Sequence, residues 1–366
     1  MNYYIGLLSG TSVDGIDAAV ISFDENYIEL VCSHEQKFSG KLKSNLQSII
    51  KSQSVSLKQL SDTDAKLADE FSLAVNTLLE KANLSKKDII AIGSHGQTIY
   101  HQPDGNLRNT IQIGSPHRLA AQTGITVVNN FRNFDMALGG QGAPLAPLIH
   151  QKLFTQNNKN TAVINLGGIA NISFIGTSYK QPIGYDIGPA NCLIDEWNFI
   201  HQKTEFDENG LWAKNGQVNK TLLEKMLNDN YFQQPYPKST GREYFNLNWL
   251  KGFEGEFNKT SAGDIQTTLT HLVAASIAKS IQQQPHTIDS IVIMGGGANN
   301  GYMQELIEQY SNIPTSTSQQ YGYDPDWVEA ILFAYLAYKR INNQKLNLSS
   351  FTGSSKALLV GDIIHK

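Results

Sequence analysis

Ile5-Gly-Leu-Leu-Ser-Gly-Thr-Ser-Val-Asp-Gly-Ile-Asp-Ala-Ala-Val-Ile-Ser-Phe23 reads as strand, polar glycine turn, strand. Within the turn, Asp14-Gly15 is a dipeptide that readily takes positive φ in a tight hairpin. About 155 residues further on the device recurs in Ala162-Val-Ile-Asn-Leu-Gly-Gly-Ile-Ala-Asn-Ile-Ser-Phe-Ile175, again strand, glycine-rich turn, strand. That interval is far beyond solenoid repeat periods. Two similar hairpins so far apart predict two related domains, each opening in the same way.

The rest of the chain reads as α/β. Leu60, Leu67, Phe71, Leu78 and Ala82 share one face of a helix over 57–82. Ile89 to Ile92 is a short strand that opens at its C-terminal end on a loop, Gly93-Ser-His-Gly-Gln97, the end at which open α/β sheets bind ligands. After Thr126-Val-Val128 a long loop runs from Asn129 to Pro147. Gly184-Tyr-Asp-Ile-Gly-Pro189 leads into a helix from Ala190 to Phe199, with Asp186 in the loop just before it. A helix over 266–283 follows, then a strand from Ile291 to Met294 that runs into Gly295-Gly-Gly-Ala-Asn-Asn300. Asp324 as N-cap and Pro325 in the first turn start a last helix over 325–340. The domains are expected at 1–127 with 343–366, and at 128–342.

At 366 residues the chain is long enough for two domains, and 40% hydrophobic with 17% charged residues is a globular composition. A net charge of −4 gives no field to gather nucleic acid or an anionic membrane, so neither is expected as a partner. An anionic substrate would need local amides, Lys, Arg or a metal ion. Cys32 and Cys192 imply neither a disulfide framework nor a Cys-rich zinc site, which fits a reducing compartment. No signal peptide or membrane span is readable, so a cytoplasmic, soluble protein is expected.

No G-x-x-x-x-G-K-[ST] is present. The run at Gly295 approaches a dinucleotide fingerprint but has Asn300 where the third glycine should stand, which weighs against a Rossmann dehydrogenase. The hairpins are better phosphate sites. Turns of Gly, Ser and Thr can aim successive backbone amides outward, and such nests hold phosphate oxygens without a lysine. Gly10-Thr11-Ser12 and Asn165-Leu166-Gly167-Gly168 would then face each other across a central cleft. The plainer alternative is an ordinary turn in which glycine supplies positive φ. Asp14 or Asp17 would bring Mg²⁺ to the phosphates through water, or serve as turn-former and strand-edge residue.

Two phosphate hairpins and a glycine-rich adenosine loop resemble the actin, hexokinase and Hsp70 superfamily. More narrowly, the chain resembles the 1,6-anhydro-N-acetylmuramic acid kinase family. The likeness is carried by Ser9–Asp17, Gly93–Thr98, Leu138–Pro144, Asn165–Asn171, Gly184–Pro189, Pro237–Glu243 and Gly295–Gly297, seven motifs in order across nearly the whole chain. It implies an actin-like ATPase fold, with two RNase H-like domains flanking a nucleotide and sugar cleft. It also implies an ATP- and Mg²⁺-dependent enzyme of peptidoglycan recycling. That enzyme opens the 1,6-anhydro bridge with water and phosphorylates the 6-oxygen, giving N-acetylmuramic acid 6-phosphate and ADP. The family's ATP segment maps onto Gly10, Thr11, Ser12, Val13, Asp14, Gly15, Ile16 and Asp17. With Asn165, Gly167 and Gly168 of the second hairpin and Gly295, Gly296, Gly297 and Asn299 it completes the nucleotide set. The catalytic base maps onto Asp186.

Chemistry asks for such a base, because a water must attack the anomeric carbon and a carboxylate must take its proton. An Asp before Gly-Pro is equally a common helix cap. Arg132 and Asp135, on the long loop, are expected to bind sugar hydroxyls or the lactyl carboxylate, with His95 near the sugar and Glu329 at a family acidic position. Lys238 and Arg242 read either as anion ligands or as solvated surface charge. Asn130, Ile187 and Ala190 depart from the family's Asp, Thr and Gly, which bears on sugar recognition. Rival readings are a kinase of another anhydrosugar such as levoglucosan and a non-catalytic actin-like ATP-binding protein. A homodimer is compatible with the sequence, which does not fix the oligomeric state.

Overall fold

The computed structural model describes residues 2–10, 13–23 and 27–366. Two compact units divide the chain: Met1–Leu145 with Trp327–Lys366, and Ala146–Asp326.

The first unit begins with β1 (Asn2–Ser9), β2 (Gly15–Phe23) and β3 (Ile28–Lys37), paired antiparallel in succession. Helices α1 (Gly40–Ser52) and α2 (Leu57–Ala82) follow. The bounds of α2 are those its apolar stripe predicts. Ser56 caps its start by accepting from the Gln59 amide at 3.1 Å, and Asn83 ends it in the left-handed region that Asn tolerates. Leu67, Phe71 and Leu78 are buried where α2 lies on β2 and β3. Next, β4 (Ile89–Gln102) runs parallel to β1, and β5 (Asn109–Ile113) folds back on β4. Helix α3 (Pro116–Thr123) leads to β6 (Val127–Asn129), parallel to β4, and the short α4 (Asn133–Ala137) follows. The strand order is β3-β2-β1-β4-β6.

The second unit repeats the plan. After α5 (Ala146–Phe154), the strands β7 (Asn160–Leu166), β8 (Ile169–Gly176) and β9 (Ile183–Pro189) form an antiparallel meander. Helix α6 (Asn191–Gln202) and the short α7 (Leu211–Lys214), α8 (Lys220–Leu227), α9 (Leu247–Lys251) and α10 (Glu254–Phe257) precede the long α11 (Ala262–Gln282). Strand β10 (Ser290–Met294) is parallel to β7, α12 (Gly301–Ser311) follows, and β11 (Thr315–Thr317) is parallel to β10. The order β9-β8-β7-β10-β11 matches the first sheet strand for strand, in direction as well as position. That plan is RNase H-like, and its duplication is the actin-like ATPase fold expected from the paired hairpins. The chain then returns to the first unit with α13 (Val328–Ile341) and β12 (Asp362–Ile364), antiparallel to β6.

Four expectations need correction. Residues 128–145 and α13 belong with the first unit, not with a domain over 128–342. The cause is close packing of α13 on β1, β2 and β4. A Cβ on Gly6 would strike the Ala330 carbonyl, and one on Gly93 the Phe333 carbonyl, so glycine lets helix and strands touch backbone to backbone. Second, Gly93–Gln97 is not a loop. Strand β4 continues through it, and a register shift against Leu7 and Leu8 leaves His95 as the extra residue of a bulge, with Gly96 at φ 77°. Third, Asp186 lies in β9, not in a loop. The last helix also starts later: Asp324 accepts from the Asp326 amide at 3.0 Å and caps a 3-10 turn, Pro325–Trp327, ahead of α13.

Candidate active site

In the second unit, the turn between β7 and β8 is held from behind by the start of α6. The Leu166 carbonyl accepts from Asn191 Nδ2 at 2.9 Å, and the Gly167 carbonyl from the Asn191 amide at 3.0 Å. The Gly168 carbonyl accepts from the amides of Ala190 and Cys192 at 3.0 and 3.1 Å. In a trans peptide the C=O and the next N–H point opposite ways. The amides of Gly167, Gly168 and Ile169 are therefore turned away from α6, three in a row, which is the arrangement of an anion-binding nest. The exposed Arg242 sets its guanidinium against this turn, 2.9 Å from where a Gly168 Cβ would stand. The Gly295–Gly297 loop abuts the same place, since side chains at Gly295 and Gly297 would strike Asn165 and Leu166. A cavity of about 480 Å³ opens beside it, lined by Asn191, Asp195, Asn209, Gly296, Gly297 and Asn299. That volume is in the range of small-ligand pockets.

Asp186 is fixed at three points in the same unit. Its amide donates to the Lys238 carbonyl at 3.1 Å, its carbonyl accepts from Tyr231 Oη at 2.7 Å, and its Oδ2 accepts from the Thr240 amide at 3.0 Å. Burial pushes the carboxyl up to about 7; Glu243 pushes the same way, while the Thr240 bond and Lys238 pull it down. It does not cap α6, whose N-cap position is Ala190 with no side-chain cap. Lys238 is not solvated surface charge. It is buried, donates from Nζ to the Tyr231 carbonyl at 3.0 Å, and lies 4.6 Å from the centre of the Tyr231 ring. Ile187 and Ala190, two departures from the family pattern, are core residues of this unit and present nothing to a ligand.

In the first unit, Thr11 and Ser12 lie outside the described residues. The Val13 amide donates to the Gly10 carbonyl at 3.2 Å, and Ser9 Oγ donates to Gln97 at 2.6 Å, which ties the turn to β4. Val13 and Ile16 are buried and present no side chain to a ligand, and Gly15, Ile16 and Asp17 lie in β2. Asp14 is ion-paired with Lys43 at 2.7 Å. No group of three or more His, Cys, Asp or Glu is placed to hold a metal among the described residues.

The bulge puts His95 Nε2 2.9 Å from Arg132 Nε, with Nδ1 3.1 Å from the Gly96 carbonyl. Arginine only donates, so Nε2 accepts and the proton sits on Nδ1 of a neutral ring. Burial, then the charge of Arg132, holds the His95 pKa well below its ordinary value. Burial lowers Arg132 to about 10, opposed by Glu329 and Asp135, so it stays a cation at neutral pH. Glu329 is exposed in the first turn of α13. Asp135 corrects the expectation of a sugar ligand: it is fully buried, accepting from Thr352 Oγ1 at 2.7 Å and the Gly142 amide at 2.8 Å, and so braces the loop beneath Arg132. A polar cavity of about 250 Å³ is lined by Ser94, His95, Gln112, Asn129, Asn130 and Asn133. Asn130, the third departure, takes φ 57° there and donates to Asp362 at 2.6 Å.

Sequence reasoning missed Thr240 as the hydrogen-bond donor to Asp186 and Asn191 as the brace of the β7–β8 turn, and left Arg242 undecided. The signal for the first and last was the Pro237–Glu243 motif; for Asn191 it was only its place at a helix start.

A family model described as anhydro-N-acetylmuramic acid kinase matches residues 2–366. The anhydro-N-acetylmuramic acid kinase of Coxiella burnetii is 43% identical over 363 residues, covering 98% of this chain and 96% of its own. That of Shewanella putrefaciens is 42% identical over 360 residues, covering 98% and 97%. Solved structures are similar at a looser level. Component A of the (R)-2-hydroxyglutaryl-CoA dehydratase of Acidaminococcus fermentans has a TM-score of 0.49 at 13% identity, covering 93% of this chain and 100% of its own. The ROK hexokinase of Thermus thermophilus has a TM-score of 0.43 at 13% identity, covering 93% and 99%.

Proposed function

Because the chain belongs to the anhydro-N-acetylmuramic acid kinase family, we propose that Asp186 is the base by which water opens the anhydro bridge as ATP phosphorylates the oxygen released. The activity is the family's own: phosphoryl transfer from ATP to an alcohol-type oxygen of a small anhydrosugar.

A bridged sugar has no free 6-hydroxyl, so phosphorylation and ring opening must be coupled. Asp186 takes a proton from water, and the water oxygen bonds to the anomeric carbon. The bond from that carbon to the bridge oxygen breaks, and that oxygen bonds to the γ-phosphorus as ADP leaves. The sum is anhydrosugar, water and ATP giving N-acetylmuramic acid 6-phosphate, ADP and a proton, which Asp186 passes to solvent. No separate acid is needed for the departing oxygen, because phosphorus takes its electron pair.

The observation that carries this reading is the carboxyl of Asp186, anchored by Thr240 and held near 7, where a base is half in its working form at neutral pH. Each unit supplies further groups. From the second, we assign phosphate oxygens to the amides of Gly167 and Gly168 and to Arg242, and the nucleoside to the cavity at Gly296 and Asn299. From the first, we assign phosphate to the turn at Gly10 and the sugar to His95, Arg132 and Glu329, with Asp135 acting through the loop it braces. Asp14 and Asp17 are hard oxygen donors beside that turn, and either suits Mg²⁺ held through water. When bound, the ion would neutralise charge on the transferring phosphoryl group.

Turnover in ¹⁸O-labelled water tests the coupling. Label belongs on the anomeric hydroxyl; label on the phosphate would mean that water attacks phosphorus, and the mechanism falls.

A further inference from the structure

Lys238 is a cation inside the second unit, and burying a lysine is unfavourable unless its charge is used. Its Nζ donates to the Tyr231 carbonyl at 3.0 Å, and Nζ lies 4.6 and 5.8 Å from the ring centres of Tyr231 and Tyr185. Of those partners, Tyr231 also grips Asp186. Tyr231 Oη donates to the Asp186 carbonyl, the Lys238 carbonyl accepts the Asp186 amide, and the Thr240 amide reaches Oδ2. Tyr185 is the chain neighbour of Asp186, and its ring stacks on that of Tyr236 at 5.4 Å. The lysine thus staples Tyr231 to the strap at 238–240, closing a ring of contacts around one carboxylate. An aliphatic residue would fill the same space without the desolvation penalty, so packing alone does not account for a lysine.

We propose that Lys238 is a positioning residue for the ring-opening step, pinning the strap so that Asp186 is held by its backbone and one oxygen while the other oxygen meets the attacking water. The inference rests on Asp186 being the base. The charged and titratable groups facing this pair are Glu243 beside Asp186, Lys279 beside Lys238, and the hydroxyls of Tyr231 and Tyr185. Lys238 and Asp186 favour each other's charged forms.

The test is kcat and kcat/KM against pH for wild type, Lys238→Met, Lys238→Gln and Asp186→Asn. Gln removes the charge but keeps a donor, one bond shorter, for the Tyr231 carbonyl, so it reports even where Met fails to fold. The expected result is an acidic limb moved up by about half a pH unit or more in either variant, because a neutralised partner no longer favours the carboxylate. Plateau kcat should fall about tenfold or more from misalignment, with KM for ATP nearly unchanged. A limb that stays at the wild-type pH in Lys238→Gln, with activity scaled down uniformly or not at all, overturns the inference while the base assignment stands. Wild-type turnover in Asp186→Asn overturns the base assignment itself, and this inference with it.

Discussion

Thr240 meets Asp186 amide to carboxylate, N–H to Oδ2 at 3.0 Å, and the bond favours the ionised form of a carboxyl that burial drives toward neutrality. With Asp186 as the proposed base, the balance at about 7 predicts a rate that depends on pH with a definite sign. A base works only when deprotonated, so kcat/KM should climb with pH through a limb near 7 and flatten above it. Asp186→Asn should fold, bind ATP, and lose about a thousandfold in turnover. Steady-state rates from pH 5 to pH 9 (a range set about that limb) check both; a flat wild-type profile would remove Asp186 from the role.

The same carboxyl makes a separate statement about stability. Its pKa is raised in the folded chain, so the native state holds the proton more tightly than the unfolded one. Its contribution is fully present below the ordinary carboxylate value of about 4 and is lost as pH rises through about 7. Asparagine cannot ionise and escapes that loss. Melting curves should therefore show Asp186→Asn gaining on wild type as pH is raised from about 5 to about 8. A difference that stays constant would mean that burial does not perturb this group.

The paired sheets were legible because each meander announces itself by a glycine-bearing turn between two apolar runs, and α2 because its stripe is long and capped at Ser56. Gly93 and Gly96 misled for one reason: glycine marks turns, but it also marks strands that touch a helix or bulge, and only packing separates the two uses. Here α13, more than 230 residues away in sequence, supplies the contact at Gly93. Asp135 reads as an open loop carboxylate, yet its partner Thr352 comes from near the other end of the chain. The Pro237–Glu243 strap was visible as a motif, while its bonds to Asp186 run through main-chain atoms that carry no sequence signature.

Arg242 and Gly168 should behave as one unit. If Arg242 holds phosphate as proposed, Arg242→Ala should lose a charge-assisted contact and raise KM for ATP about tenfold. In Gly168→Ala the new methyl meets Nε and Nη2 of Arg242 and displaces them, raising KM in the same direction. Because both changes remove one contact, the double variant should be little worse than Arg242→Ala alone. Gly255→Ala is the control, since it lies in α10 with nothing within 4 Å of the new Cβ. Strictly additive effects would show that Arg242 and the turn act on ATP independently.

Gly93→Ala tests the fold rather than the chemistry. A methyl there runs into the Phe333 carbonyl, and β4 cannot back away because Gly93 pairs with Gly6 of β1, itself set against the Ala330 carbonyl. Helix α13 must lift from the sheet or the strands must buckle, at about 3 kcal/mol or more. Gly40→Ala, at the first residue of α1 with nothing within 4 Å of the new Cβ, should be neutral or slightly stabilising because alanine is the better helix former. Denaturant unfolding of the two variants reads the contrast. A Gly93→Ala protein as stable as wild type would mean that α13 does not rest on these strands as closely as the structure has it.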